Sequence, residues 1–158
     1  RKMADLGIPP DEFYAFKPAT VECVIQAATK QNVPANVLLA LASIEGGKNG
    51  QVVLNTSNPT ADIGHFQINT ATFRSELAPY GVNLRDLQWR GCYNAEIAAF
   101  LLGKRLSEPG QQDFWTKAAN YHSKTPKYNA IYRKKLVALS TEWANWLQNS
   151  YSVKVSYR

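Results

Sequence analysis

Apolar positions recur at helical spacing along most of this chain, interrupted by clusters of glycine, proline and asparagine. Thr20 can cap a helix whose apolar stripe is Val21, Val24, Ile25 and Ala28. Pro34 suits a first helical turn, and Val37, Leu41 and Ile44 repeat at helical spacing until Gly46-Gly47 supplies the left-handed freedom on which helices end. Turn formers crowd Asn55 to Pro59. Ile63 to Ile68 is short and contains Gly64, which predicts an irregular or weakly β segment able to fold back over the preceding helix end. Thr70 or Thr72 can start a short helix through Leu77, broken by Pro79 and Gly81, and a turn of helix follows around Leu84 to Leu87. The repeats Ile97, Leu101 and Ala98, Leu102 predict a long buried helix from Cys92 to Leu106, ended by Pro109-Gly110. Asp113 can cap Phe114 to Tyr121, Thr125-Pro126 reads as a cap plus first-turn proline, and Tyr128 to Leu147 forms the last long helix. The tail Tyr151 to Tyr157 alternates, with Val153 and Val155 on one parity, as a strand or an ordered end would.

This pattern describes one mainly α domain over 20–150, preceded by a proline-containing lead-in (1–19) and followed by a tail (151–158). A length of 158 residues suffices for one genuine core, and 45% hydrophobic with 19% charged residues is the composition of a soluble globular protein. No apolar run approaches the ~20 residues that a transmembrane segment requires. The chain opens at Arg1 without an initiator Met, as it would after removal of a secretory signal. The net charge is +6, and much of it is late: Lys124, Lys127, Arg133, Lys134, Lys135, Lys154 and Arg158. A basic face attracts nucleic acid, anionic lipid or an acidic polymer such as cell wall, or is simply solvated, so charge alone chooses no partner. No recognition motif for nucleic acid accompanies it.

Cys23 and Cys92 are the only cysteines, each within an apolar helical pattern. They are either two buried thiols or a bridge between two helices, and a bridge would place the protein in an oxidising compartment. There is no Cys-x-x-Cys, and His65 and His122 lie in separate segments, so neither a metal nor another cofactor is expected.

The chemistry concentrates at Glu45. It falls on the last turn of an apolar helix, where Ala42, Leu41 and Leu38 share its face and the negative end of the helix dipole lies close. Both surroundings disfavour the ionised form and push its pKa upward. A carboxylic acid still protonated near neutrality is what protonation of a glycosidic oxygen requires.

Glu45-Gly46-Gly47, then Asp62-Ile63-Gly64-His65-Phe66-Gln67-Ile68-Asn69, then Ala118-Ala119-Asn120-Tyr121-His122-Ser123, resemble three motifs of the soluble lytic transglycosylase family. Within it, Glu-Gly-Gly, Gln-Ile-Asn and Tyr-His-Ser are similar to the small enzymes that accompany type IV secretion, conjugation and pilus machines. The resemblance covers roughly Cys23 to Leu139 and implies a lysozyme-like α+β fold. In it, a helical domain and a small irregular or β segment flank a groove for peptidoglycan glycan strands. It implies that Glu45 protonates the glycosidic oxygen between N-acetylmuramic acid and N-acetylglucosamine, then serves as base toward the muramic acid 6-hydroxyl, giving a 1,6-anhydro product without water. An intramolecular hydroxyl removes the need for the second carboxylate of ordinary glycosidases. Asp62 accordingly reads as a turn-stabilising residue.

By the same resemblance, Gln67 hydrogen-bonds sugar substituents, Phe66 stacks on a sugar ring where the family usually has Met, and Asn58 falls near a serine that contacts the N-acetyl group. Tyr121 matches a tyrosine whose hydroxyl points at the catalytic glutamate. His122 stands in the place of a usual Asn, His65 of a Leu or Pro, and Gly46 of a Ser. Asn94 reads as a structural cap. The implied setting is periplasmic or secreted, with components of a secretion, conjugation or pilus machine as partners. Competing readings are a lysozyme-type hydrolase, a non-catalytic wall-binding subunit that would not need Glu45, and a cysteine hydrolase using Cys92 with His122. The last lacks the Gly-rich nucleophile turn.

Overall fold

The computed structural model describes residues 15–150 and 155–157. The Thr20 hydroxyl accepts from the Cys23 amide at 3.1 Å while the Cys23 sulfur accepts from the Thr20 amide at 3.3 Å, and this reciprocal cap starts α1 (Val21–Gln31). Asn32, left-handed at φ 55°, closes it. Helix α2 (Ala35–Glu45) is buried on every face from Ala35 to Leu41, so its first half is enclosed rather than amphipathic. A three-stranded antiparallel meander follows: β1 (Val52–Leu54), β2 (Ala61–Ile63) and β3 (Ile68–Asn69), with Val53 opposite Asp62 and Asp62 opposite Asn69. The weakly β segment expected from Ile63 to Ile68 is thus a tight connection between two short strands.

The helical stretch after β3 begins as α3 (Thr70–Thr72), widens to a π turn over Phe73–Leu77 and tightens to a 3-10 turn over Ala78–Tyr80. It starts at Thr70, one of the two expected positions, and is capped by Asn69, whose side chain accepts from the Ala71 amide at 2.9 Å. The Thr70 hydroxyl is already engaged as acceptor for the Ala61 amide. Asn83 caps α4 (Leu84–Trp89), which leads into α5 (Gly91–Ser107), the long buried helix. Asp113 caps α6 (Phe114–Ala119), and α7 (Pro126–Ser150) begins at its proline.

Helix α7 packs along α2, and α1 along α5. Leu38, Leu41, Phe66, Ile97, Leu102 and Leu136 have no exposed surface and form one core between these layers. Cys23 and Cys92 are joined, so of the two readings of the pair the bridge is the one observed. It ties α1 to the start of α5 with Cα atoms 5.7 Å apart. The architecture is mainly α with a small sheet, the lysozyme-like class.

The lead-in up to residue 14 and residues 151–154 and 158 of the tail lie outside the described residues. Residues 155–157 run without a strand partner. The buried Asn36 side chain holds them: its Oδ1 accepts from the Ser156 amide at 2.8 Å, and its Nδ2 donates to the Ser140 carbonyl at 3.0 Å. Among the described residues no helix is long and apolar enough to cross a membrane, and no group of three or more His, Cys, Asp or Glu could hold a metal ion.

Candidate active site

Glu45 is the last residue of α2, and the two glycines after it have different tasks. Gly46 turns the chain at φ 61°, a left-handed conformation costly for other residues. Gly47 makes room: a Cβ there would lie 2.0 Å from the Gly64 carbonyl oxygen and 2.9 Å from Gln67 Nε2. Without that side chain, the β2–β3 connection lies directly on the helix end. Asn94 braces the connection from beneath. Fully buried in α5, its Oδ1 accepts from the Phe66 amide at 2.9 Å, and its Nδ2 donates to the carbonyls of Ile63 (3.1 Å) and Leu87 (2.9 Å). Asn94 is therefore a loop brace rather than the cap expected of it, and Arg90 holds the cap position of α5.

The Glu45 carboxylate receives a phenol, but not the expected one. Tyr132, on α7, donates to Glu45 Oε2 at 2.6 Å, whereas the Tyr121 hydroxyl donates to the Phe66 carbonyl at 3.0 Å. Tyr121 lies in the turn after α6 and reaches beneath the β2–β3 connection. Tyr132 stands on the inward stripe of α7 with Asn129, Leu136 and Ser140, which faces the α2 side. A tyrosine on a buried helix face needs a partner for its hydroxyl, and this was the sequence signal for Tyr132. Burial first, and then the charge of Glu45, push both phenols above their ordinary pKa, so both remain donors.

The turn carrying Tyr121 and His122 is itself fixed. Asn129 Nδ2 reaches the Asn120 side-chain oxygen at 2.9 Å and the Ser123 carbonyl at 3.1 Å. The His122 ring stacks on Tyr132, with centroids 4.5 Å apart and planes 5° from parallel. Burial lowers the His122 pKa, which favours the neutral ring.

These elements enclose a cleft of about 400 Å³. Glu45 and Arg105 line it from the helices, Tyr121 and His122 from the turn after α6, and Asn55, Asn58, Asp62, Gln67 and Asn69 from the sheet and its connections. At its helical wall, Arg105 pairs with both carboxylate oxygens of Glu76 at 2.7 and 2.8 Å. Gln67 sits at φ 50°, strained for a residue with a side chain, and donates through Nε2 to the Gly64 carbonyl at 2.9 Å. The Asn58 side chain accepts from the Thr60 amide at 3.1 Å, so it builds its turn as well as lining the cleft.

Phe66 and Asp62 also depart from expectation. Phe66 has no exposed surface and cannot stack on a sugar: its amide is held by Asn94 and its carbonyl by Tyr121, which leaves the ring turned into the core. Asp62 does not stabilise a turn. It stands in β2 facing the cleft, and its Oδ1 accepts from Asn69 Nδ2 at 2.9 Å.

The electrostatics single out Glu45. Burial raises its pKa, the Tyr132 hydrogen bond opposes that shift, and the charge of Asp62 adds to it, leaving the carboxyl at about 7. A second hollow of about 210 Å³ adjoins the first, shares Glu45 and His122 with it, and is otherwise lined by Ile44, Tyr128, Ile131, Tyr132 and Lys135. A proton donor poised near neutrality thus stands at the waist of a groove whose larger half is lined with amides, suited to a polar, uncharged polymer such as a glycan.

Comparison with protein families gives a match to the family described as Transglycosylase SLT domain over residues 22–135, a span that contains Glu45, the β2–β3 connection, Tyr121 and Tyr132. Comparison with curated proteins gave no match. The matched span covers most of the chain and all of the groove's waist, and the protein accordingly belongs to the SLT transglycosylase family, peptidoglycan lytic transglycosylases that break glycosidic bonds as lyases.

Proposed function

We propose that Glu45 alone performs both proton transfers at the bond between N-acetylmuramic acid and N-acetylglucosamine. The Glu45 proton passes to the glycosidic oxygen as the C1–O bond breaks and positive charge develops at C1. The resulting carboxylate then takes the proton of the muramic acid 6-hydroxyl while O6 bonds to C1. Water is not consumed, and the products are a 1,6-anhydro sugar and a free 4-hydroxyl. The observation that carries this reading is the shielded Glu45 carboxyl under the Tyr132 phenol, since the same hydrogen bond stabilises the carboxylate formed midway. Gln67, Asn58 and their amide neighbours then serve the N-acetyl and hydroxyl groups, with Tyr121 and His122 forming the opposite wall.

Asp62 favours one second reading. A further carboxylate facing the same cleft could activate water, as in a lysozyme-type hydrolase. Mass spectrometry of digested peptidoglycan separates the two. Anhydro-muropeptides are expected, and reducing-end muropeptides would overturn the proposal. Glu45→Gln is expected to lower turnover by about 10²–10⁴ with an unchanged circular-dichroism spectrum, while Asp62→Asn keeps most of it. Equal losses in both variants would point to the two-carboxylate enzyme.

The setting is periplasmic or secreted, supported by an extracytoplasmic substrate and a disulfide that persists where conditions are oxidising. Local wall opening for a trans-envelope secretion, conjugation or pilus system is supported by the likeness of the Glu-Gly-Gly, Gln-Ile-Asn and Tyr-His-Ser motifs.

A further inference from the structure

The two hollows beside Glu45 differ in chemistry. The cleft carries amides and hydroxyls, whereas the smaller hollow is walled by Ile44, Tyr128 and Ile131, with Lys135 as its basic group. Tyr128 and Ile131 are 53% and 52% exposed. Together with Lys135 they stand at i, i+3 and i+7 on α7, so one helix face presents all three. Lys135 forms no ion pair among the described residues.

A muramoyl residue carries a peptide on O3 through a lactyl ether. That peptide begins with alanine and continues with a γ-linked glutamate whose α-carboxyl is free. The sugar whose C1 bond breaks must therefore place its peptide within about a ring's width of the acid, while the glycan, on the same reading, runs along the amide-lined cleft. The hollow opens at that point, because Glu45 and His122 line both spaces. Its apolar walls suit the lactyl and alanyl methyl groups, and its ammonium suits the carboxylate. We infer that this hollow, on the transglycosylase reading above, receives the stem peptide of the reacting muramoyl residue, with Lys135 pairing the glutamyl α-carboxylate. Lys135 is then a specificity determinant that acts on binding, distinct from the acid that acts on the bond.

The experiment compares kcat/KM on glycan strands bearing the peptide, on strands stripped of it by an amidase, and on strands whose glutamyl α-carboxyl is amidated. Wild type is expected to prefer the peptide-bearing strands. Lys135→Ala lowers that preference about three- to fivefold, the scale of a solvent-exposed ion pair, Lys135→Glu lowers it further, and Lys135→Arg restores it. On amidated strands Lys135→Ala makes no difference to the preference, and about 0.5 M salt shrinks the effect on the free-acid strands. A preference unmoved by Lys135→Ala, or lost equally on free-acid and amidated strands, overturns the assignment. Anhydro products formed with no peptide preference would sink this inference alone, whereas reducing-end products from every substrate would sink the transglycosylase reading beneath it.

Discussion

Two neighbours pull the Glu45 proton in opposite directions, and burial decides the outcome. The Tyr132 phenol favours the carboxylate, while loss of water and the Asp62 charge favour the acid, and the folded-state pKa ends near 7 rather than 4.5. The folded protein therefore holds a proton that the unfolded chain releases. The stability this contributes is complete below about 4.5 and is lost as pH rises through about 7. Glu45→Gln removes the titration, so the variant should gain stability over wild type across that window, by roughly 3 kcal/mol at pH 8 relative to pH 4. Urea unfolding of both proteins at several pH values checks it, and parallel curves would mean an ordinary carboxylate. The general-acid step should fade over the same upper range, with kcat/KM falling above about pH 7. The position and direction of this shift were legible from Leu38, Leu41 and Ala42 on the Glu45 face. The phenol was not, because Tyr121 lies within the third motif and Tyr132 eleven positions after that tyrosine, and only packing decides which hydroxyl arrives.

At the scale of elements, the site is a helix end pressed against a loop. Gly47→Ala would put a methyl group into the Gly64 carbonyl, so the β2–β3 connection and Gln67 must move. A displacement of about 1 Å costs on the order of 10² in kcat/KM, and the overpacking costs about 1–3 kcal/mol. Gly46→Ala meets nothing within 4 Å and suffers only from its left-handed backbone, a loss of about 1–2 kcal/mol. Thermal melts and steady-state kinetics on the two variants should therefore separate, with activity falling far more at position 47. The helices were readable because period and punctuation agree from Thr20 to Leu147. Strand β1 was not, since Val52, Val53 and Leu54 are all exposed and show no alternation. Asn94 was misread for a related reason: its position in the sequence looks like a cap, and only the folded loop shows what its three hydrogen bonds hold.

Over the whole molecule, segments far apart in the chain are fastened across the core. The Cys23–Cys92 bridge spans 69 positions and ties the first helix to the central one. Loop-closure entropy alone is worth about 4 kcal/mol for such a span. The double variant Cys23→Ala/Cys92→Ala should lose about 2–4 kcal/mol, seen as a lower urea midpoint with a similar slope. An unchanged midpoint would mean that α1 and α5 are held by their packing alone. The sequence left bridge and thiols equally open, because two cysteines in apolar helices fit both. It likewise left open how the tail ends, and Asn36, a polar residue in an otherwise apolar helix, proves to be where Ser156 docks.

The phenol on Glu45 comes from 87 positions further along the chain. An incompletely folded molecule lacks that partner and the shelter around it, so its glutamate is an ordinary side chain, almost wholly ionised near neutrality. A chain whose last long helix has not yet docked therefore lacks the protonated group at the groove's waist, and readiness to give up that proton arrives only with the completed fold.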